Sequence, residues 1–364
     1  MLPGGVFSTK YASELKIFKT STQWFLLLVV LLVFFLLVPH IASPYWLTKL
    51  IIIGIHIIVL LGLHILVGLC GLASLGQAGF MAIGAFTVAI LSSQWDINGW
   101  LCLPLSALAA GLVGLVVGLI TVRLKLFYLA IATWVSQDII LWLLRFPGPK
   151  GSDNAWWDYT GGFTGIQLEP LTLGPFDFGS DTSLYILTVI FVIVGTYITL
   201  GIQRSNTGRI LVAVRDNDLA AEVAGINLIR SKLLAFFIAS CFAGVAGWLW
   251  AYFQLRVNAS QFDIGDSIFY MGMIVIGGTG SISAVFSGVI FFDGMDIIVM
   301  DYVAPWAVDH MPSRWAAQIH FALKYIVGGL GVMMFIKMAP KGVAGFIEKF
   351  KLSYRLHPYS FRGS

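Results

Sequence analysis

The residues of this chain that could do chemistry are few and scattered through apolar runs. Asp293 and Asp296 lie three apart on one helical face, where paired acids within a membrane suit proton coupling. Lys324 is a conceivable ion-pair partner for Asp293, and Asp138 stands towards the far half of another run. His56 and His64 share a run but sit eight residues apart, about 80° around a helix. Ligation of haem or a metal by this pair would need a ligand from a second helix, and two imidazoles held inside a bundle are the simpler account. Cys70, Cys102 and Cys241 have neither CxxC spacing nor a neighbouring histidine cluster, so zinc and disulfide readings fail. A phosphate-cradling GxxxxGK(S/T) loop is missing, and the nearest glycine-rich stretch, Gly277-Gly-Thr-Gly-Ser281, lacks the lysine. The chain therefore offers no catalytic set, no metal site and no nucleotide site of that kind. If it does work driven by ATP, another subunit must hydrolyse it.

Two polar stretches stand out against this background. Arg215-Asp-Asn-Asp-Leu-Ala-Ala-Glu222-Val-Ala-Gly225 sits in a charged segment, residues 203–232, between long apolar runs. It reads as a short surface helix with Asn217 or Asp216 as N-cap and Gly225 as its stop. Leu219, Val223 and Ile226 recur at helical spacing and leave an apolar face for a docked partner. The second stretch is Leu72 to Phe86. Ala73, Gly76, Gly79 and Gly84 allow close approach there, while Ser74 and Gln77 carry polar groups that are costly to bury unpaired. That combination suggests a pathway or a tight interface. Tyr128-Leu-Ala-Ile-Ala-Thr133 opens a further run, with Thr133 able to bond its own backbone.

The elements that must position these groups are membrane spans. Of 364 residues, 58% are hydrophobic and 11% charged, with a mean hydropathy of +0.89. Soluble domains carry roughly 25% charged residues, so the chain is expected to be an all-α, polytopic membrane bundle in a lipid bilayer. Spans are expected near 22–38, 48–69, 72–92, 101–121, 126–144, 184–202, 233–254, 267–279, 282–300 and 320–337, roughly ten transmembrane or re-entrant segments. Glycines interrupt the third and eighth. The start of the chain resembles a signal peptide, with Lys10, Lys16 and Lys19 before an apolar run, but Ala42-Ser43-Pro44 is a poor cleavage region, so a retained first span is expected.

Basic residues cluster in 1–21, at Arg123 and Lys125, in 203–232 and in a tail from Lys337. Threading ten spans puts all four clusters on one side, which the positive-inside rule makes cytoplasmic. Both termini are then cytoplasmic, with 1–21 and 339–364 as flanks of a transmembrane region 22–338. The net charge of +4 is thus segregated by loop and gives no ground for nucleic acid as a partner. Segment 145–183 falls outside and is acidic, with Asp153, Asp158, Glu169, Asp177 and Asp181 against Arg145 and Lys150. Trp46, Trp95, Trp100, Trp142, Trp250 and Trp315 fall near expected outer ends, as an interfacial belt should. The glycine-broken stretches Gly68 to Gly84 and Gly272 to Gly288 hold comparable places in the two halves. They fit either an internal pseudo-repeat flanking a pathway or glycines that merely let helices pack closely.

Ser74-Leu-Gly-Gln-Ala-Gly-Phe-Met-Ala-Ile-Gly-Ala-Phe86 closely resembles the SLGxAxFxxIGAY signature of the branched-chain amino acid ABC transporter permeases. Tyr128 to Thr133, Thr160-Gly-Gly-Phe-Thr-Gly-Ile166 and Gly208 to Asn227 followed by Lys232-Leu-Leu-Ala-Phe236 match further stretches in family order. Ile276-Gly-Gly-Thr-Gly-Ser281 looks like the late glycine motif, and Pro340-Lys-Gly-Val343 like the terminal RPxGL. The likeness runs from about residue 47 to 346. Gln77 stands where a histidine is common, Ala339 replaces the usual arginine, and residues 1–46 have no obvious counterpart.

The resemblance implies an importer of two permease subunits, two cytoplasmic ATPases that bind ATP and Mg, and an external solute-binding protein. The segment with Arg215, Asp216, Asp218, Leu219, Ala221, Glu222, Gly225 and Ile226 would be the coupling helix that enters a groove on the ATPase. Ser74, Gln77, Gly79, Thr133, Gly277 and Thr279 are the expected pathway residues. This chain itself would bind no cofactor. Branched-chain amino acids lead the expected solutes, with urea, amides and other small solutes also carried by relatives. The competing readings are a stand-alone ion-coupled transporter using Asp293, Asp296 or Lys324, and a membrane subunit of an electron-transfer complex with His56 and His64 on haem.

Overall fold

The computed structural model describes residues 35, 38–124, 126–145, 160–162, 164–173, 176–303, 305–306, 326, 328–334, 337, 342 and 345. Residues 1–21, nearly all of the expected first span, Lys324, and the tail 339–364 apart from 342 and 345 lie outside the described residues. Within them the protein is built almost entirely of helix. After a four-residue helical turn at Val38–Ile41, the helices in chain order are α1 Pro44–Leu63, α2 Gln77–Trp95, α3 Gly99–Thr121, α4 Leu126–Arg145 and α5 Asp181–Arg204. There follow α6 Asn206–Asp216, α7 Asp218–Val223, α8 Leu228–Gln254, α9 Ile264–Gly277 and α10 Ile282–Ile298. Both α1 and α10 run on as π-helical turns, His64–Leu69 and Val299–Val303.

Seven helices among the described residues are long and apolar enough to cross a bilayer: α1 with its π turn, α2 to α5, α8, and α10 with its own. Each corresponds to an expected span. The 14-residue α9 is shorter than the about 20 residues a full crossing needs, and so reads as re-entrant. Of the last expected span, residues 326, 328–334 and 337 are helical. The third span begins at Gln77 rather than near residue 72. Residues 71–76 are a non-helical crossing between α1 and α2, with Gly71 at φ +74°.

Long α8 is the axis of the bundle and packs along α2 and α3. Lipid gives helices no hydrophobic drive to associate, so close backbone approach through small residues must supply the attraction. Gly244 is the clearest case. A Cβ on it would meet the Ser106 carbonyl at 2.6 Å and the Ala110 side chain at 2.8 Å, while Gly84 lies against the Gly244 backbone from the other side. Three helices thus touch at one point, with Trp248 of α8 fully buried and its indole N–H donating to the Gly99 carbonyl at 2.9 Å. Close packing therefore accounts for Gly84.

Two short antiparallel ladders depart from the all-helical pattern. β1 Ile166–Gln167 pairs with β4 Arg256–Val257, and β2 Thr172–Leu173 with β3 Phe176–Asp177. The first ties segment 145–183 to the C-terminal end of α8. The same end is fastened by the Arg145 guanidinium, which donates to the Ala259 carbonyl at 2.9 Å. The opposite end carries α6 and α7. The bundle therefore has a ladder end and a charged-helix end, with α8 spanning between them.

Gly244→Val is expected to destabilise the bundle by about 1–3 kcal/mol, because no neighbour of the glycine is a flexible side-chain tip. The check is the thermal unfolding midpoint of the purified protein. Gly201→Val, at a helical position with nothing within 4 Å, serves as the neutral control.

Candidate functional site

Segment 203–232 contains two helices where the charge pattern shows one. Ser205 caps α6, accepting from the Gly208 amide at 3.3 Å, and α6 buries Gly208, Leu211 and Val214 on one face. A single extended residue, Asn217, separates α6 from α7 and caps the latter by accepting from the Ala220 amide at 3.1 Å. Asn227 then caps α8 through the Arg230 amide at 3.0 Å. Three side-chain caps in 23 positions, 205 to 227, make this corner a set of short rigid rods rather than a loop.

The end of α7 is equally defined. Gly225 takes φ +84°; its amide donates to the Glu222 carbonyl at 2.9 Å, and the Ile226 amide to the Ala221 carbonyl at 3.0 Å. That is the paired-bond stop in which a left-handed glycine closes a helix. Nothing lies within 4 Å of a Cβ added at Gly225, so backbone handedness alone asks for glycine.

The expected apolar face splits in two. Leu219 and Val223 are 75% and 91% exposed, four residues apart on α7. Ile226 instead packs against an interior cluster with Ala221, because the chain reverses at Gly225 before reaching it. Asp216, Asp218 and Glu222 are exposed around the apolar pair, and Asp218 accepts from Lys232 Nζ at 2.8 Å. The exposed apolar pair is thus ringed by charged side chains.

Arg215 connects this corner to the interior. Its Nε and Nη2 each lie 3.0 Å from Asp216 Oδ1, while Nη1 donates to the Gly68 carbonyl at 2.7 Å. Gly68 belongs to the π turn where α1 breaks, so its carbonyl would otherwise lack a partner in the helix. A Cβ at Gly71 would meet the Arg215 side chain at 2.7 Å, and one at Gly68 the Thr279 carbonyl at 2.8 Å. Gly68 thus lies between Arg215 and the turn that joins α9 to α10.

The expected pathway residues fall into two groups. Ser74, Gln77 and Thr133 are buried together, with Gly79 against Gln137. Thr133 Oγ1 accepts from the Leu75 amide at 3.0 Å; Ser267 Oγ accepts from the Ala78 amide at 2.9 Å and donates to Gln137 Oε1 at 2.6 Å. Gln137 and Ser267 complete this cluster and are missing from the sequence reading. A lone amide and a hydroxyl inside apolar runs were the available signal. Both Gln77 amide atoms and Gln137 Nε2 are buried with no hydrogen-bond partner among the described residues. Gly277 packs on the Ala284 backbone and Thr279 is exposed in the adjoining turn, beside Gly68 rather than Gln77.

The titratable residues resolve differently from expectation. Asp293 Oδ2 lies 2.8 Å from His56 Nδ1, which gives the acid a partner on α1. His64 is fully buried, and neither ring nitrogen has a partner among the described residues. Those residues hold no group of three His, Cys, Asp or Glu able to take a metal ion, and their cysteines are free.

A bundle of long apolar helices, broken where polar groups gather, defines a multi-pass membrane protein. Residues 45–336 match the family model described as branched-chain amino acid transport system / permease component. The chain belongs to that family. Over 282 residues it is 32% identical to the high-affinity branched-chain amino acid transport system permease protein LivM of Escherichia coli, covering 71% of this chain and 65% of that one. LivM of Salmonella typhimurium is 31% identical over 64% of this chain and 58% of the relative. The chain therefore spans about three-fifths of the length of these relatives. The probable branched-chain amino acid transport permease protein LivH of Methanocaldococcus jannaschii is 24% identical over 64% of this chain and 72% of its own. No solved structure matches.

Gly225→Ala is expected to leave the bundle intact but to strain the α7 stop by about 1–2 kcal/mol. Amide exchange over 218–226 should quicken, while that of the α8 core stays unchanged.

Proposed function

We propose that this chain is the membrane-spanning subunit of an ATP-driven importer in a bacterial inner membrane. It carries branched-chain or related amino acids handed over by an external solute-binding protein. A second homologous permease subunit and two cytoplasmic ATPases complete the assembly, and ATP with Mg is bound on the ATPases. Family membership supports the solute class. The observation that carries the ATPase coupling is α7: a six-residue helix with caps at both ends, offering Leu219 and Val223 to a neighbour.

In this reading, α7 is the cytoplasmic coupling helix and both termini are cytoplasmic. Closure of the ATPase pair pushes on Leu219 and Val223. The capped rods transmit the push as a unit, because Asn217 and Gly225 fix both ends of α7. Arg215, one turn earlier, carries it to the Gly68 carbonyl and so to the crossing at residues 71–76. The buried cluster of Thr133, Gln137 and Ser267 holds the start of α2 against α4 and α9, so movement at residues 71–76 reaches all three helices. Alternating access then follows from a change of packing at the broken helices, with no chemical step on this chain.

The test replaces Leu219 and Val223 together by aspartate in the intact transporter. Uptake is expected to fall by about tenfold or more, and the ATPase subunits should no longer co-purify. Unchanged uptake and co-purification would remove the coupling assignment, as would amino acid import by the purified chain in liposomes without ATP. A cysteine at position 223 should react with an impermeant maleimide only from the cytoplasmic face.

A further inference from the structure

Helix α4 is held along one face only. Leu129, Thr133, Gln137, Ile140 and Leu144 are buried at steps of three and four, and the helix packs on α2, α3 and α9. The far side of the helix divides into two exposed stripes. Tyr128, Val135 and Ile139 make one of them. Phe127, Ile131, Trp134 and Asp138 make the other, at steps of four, three and four.

Asp138 sets the second stripe apart. At 1.5 Å per residue it stands roughly 17 Å along the span Phe127–Arg145, whose whole length is roughly 28 Å. Trp134, one turn earlier, also falls in the middle third of that length. Neither the Trp134 indole nor the Asp138 carboxylate forms a hydrogen bond or ion pair among the described residues. No other described span exposes a charged side chain more than one turn from its ends.

The neighbouring outer helices show what a lipid-facing surface of this protein is made of. Every exposed residue of α3 is apolar, Leu105, Leu108, Leu112 and Val116 among them. Through its middle, α5 exposes Ile190, Ile193, Val194 and Ile198. A carboxylate among acyl chains is costly, and Asp138 lies about 10 Å short of Arg145, too far for so short a side chain to reach the headgroups. Tryptophan belongs at the membrane surface, where its N–H finds water, rather than at mid-depth against lipid. The stripe therefore has the wrong chemistry for acyl chains, whereas α3 and α5 have the right one.

We infer that this stripe of α4 is the contact with the second, non-identical permease subunit, and that Asp138 accepts from a basic or amide side chain of that subunit at mid-depth. Charge decides between the two membrane neighbours an importer offers. A second copy of this chain would share its orientation in the bilayer, so paired α4 helices would run parallel and set Asp138 at the level of Asp138. Two carboxylates at one depth repel, most strongly where water is scarce. A homologous subunit with a donor at that level gives the acid a partner, and its polar group also suits the Trp134 indole. The same helix that fixes the start of α2 through Thr133 would then be braced from its other side by the neighbouring subunit. The identity of the occupant rests on the importer reading; the location of the surface does not.

The experiment places a photoreactive benzoylphenylalanine at position 134 of the chain in the assembled, purified transporter, with positions 112 and 194 as comparisons. Illumination is expected to join position 134 to the second permease subunit, identified by mass spectrometry, and to leave 112 and 194 with lipid adducts alone. Asp138→Leu leaves the partner's donor unpaired, so recovery of that subunit with the tagged chain should fall about tenfold or more, and Asp138→Glu should restore it. The purified chain alone should keep its thermal unfolding midpoint in both variants, because the acid has no partner among its described residues. A fall in that midpoint with Asp138→Leu would assign the acid an internal role and overturn the contact. Adducts of position 134 with lipid alone overturn the surface, and adducts with a second copy of this chain overturn the choice of occupant. Rapid reaction of Asp138→Cys with a water-soluble methanethiosulfonate in the assembled transporter would put the stripe on an aqueous route and also overturn the contact. The Leu219 and Val223 double variant should lose the ATPases yet keep the adduct at 134, so a failure of coupling and a failure of this surface give different results.

Discussion

A helix interrupted inside an apolar bundle exposes amides and carbonyls that no water can reach, and the rest of this structure depends on how those groups are paired. At the break after α1, the Gly68 carbonyl is met by a guanidinium from a neighbouring segment. Across the crossing, the Leu75 and Ala78 amides are met by hydroxyls of Thr133 and Ser267. The three bonds come from three different elements, the α6 end, α4 and α9, so the break is the place where those elements are tied together. A continuous helix would have needed none of them and would have left the elements independent.

Much of the architecture was legible in composition, because crossing a bilayer demands long apolar runs and little else produces them. Seven expected spans have helices at matching positions. The misplacement at residues 72–76 has a clear origin: a non-helical crossing made of Gly, Ala, Ser and Leu has nearly the hydropathy of a span, so periodicity alone cannot end it. Helix α6 was hidden for the opposite reason. Its polar face makes the segment resemble a loop, although Leu211 and Val214 recur at a spacing that buries them.

Pairings between distant parts of the chain were the least legible. Asp293 carried a visible charge, but its described partner, His56, lies 237 positions away and shares no local pattern with it. Lys324, the partner expected from the same reasoning, is outside the described residues. Ile226 shows the limit of helical spacing as a guide. It continues the rhythm of Leu219 and Val223, yet the chain turns at Gly225 and sends it inward. Local rhythm holds only while the helix does.

That turn has one more consequence. Gly225 combines a left-handed backbone with empty surroundings, so the objection to any larger residue there is stereochemical and not spatial. A mirror-image alanine installed by chemical ligation would relax into the same geometry and restrict the unfolded chain more than glycine does. Evolution, confined to one enantiomer, has settled for the only genetically encoded residue that has none.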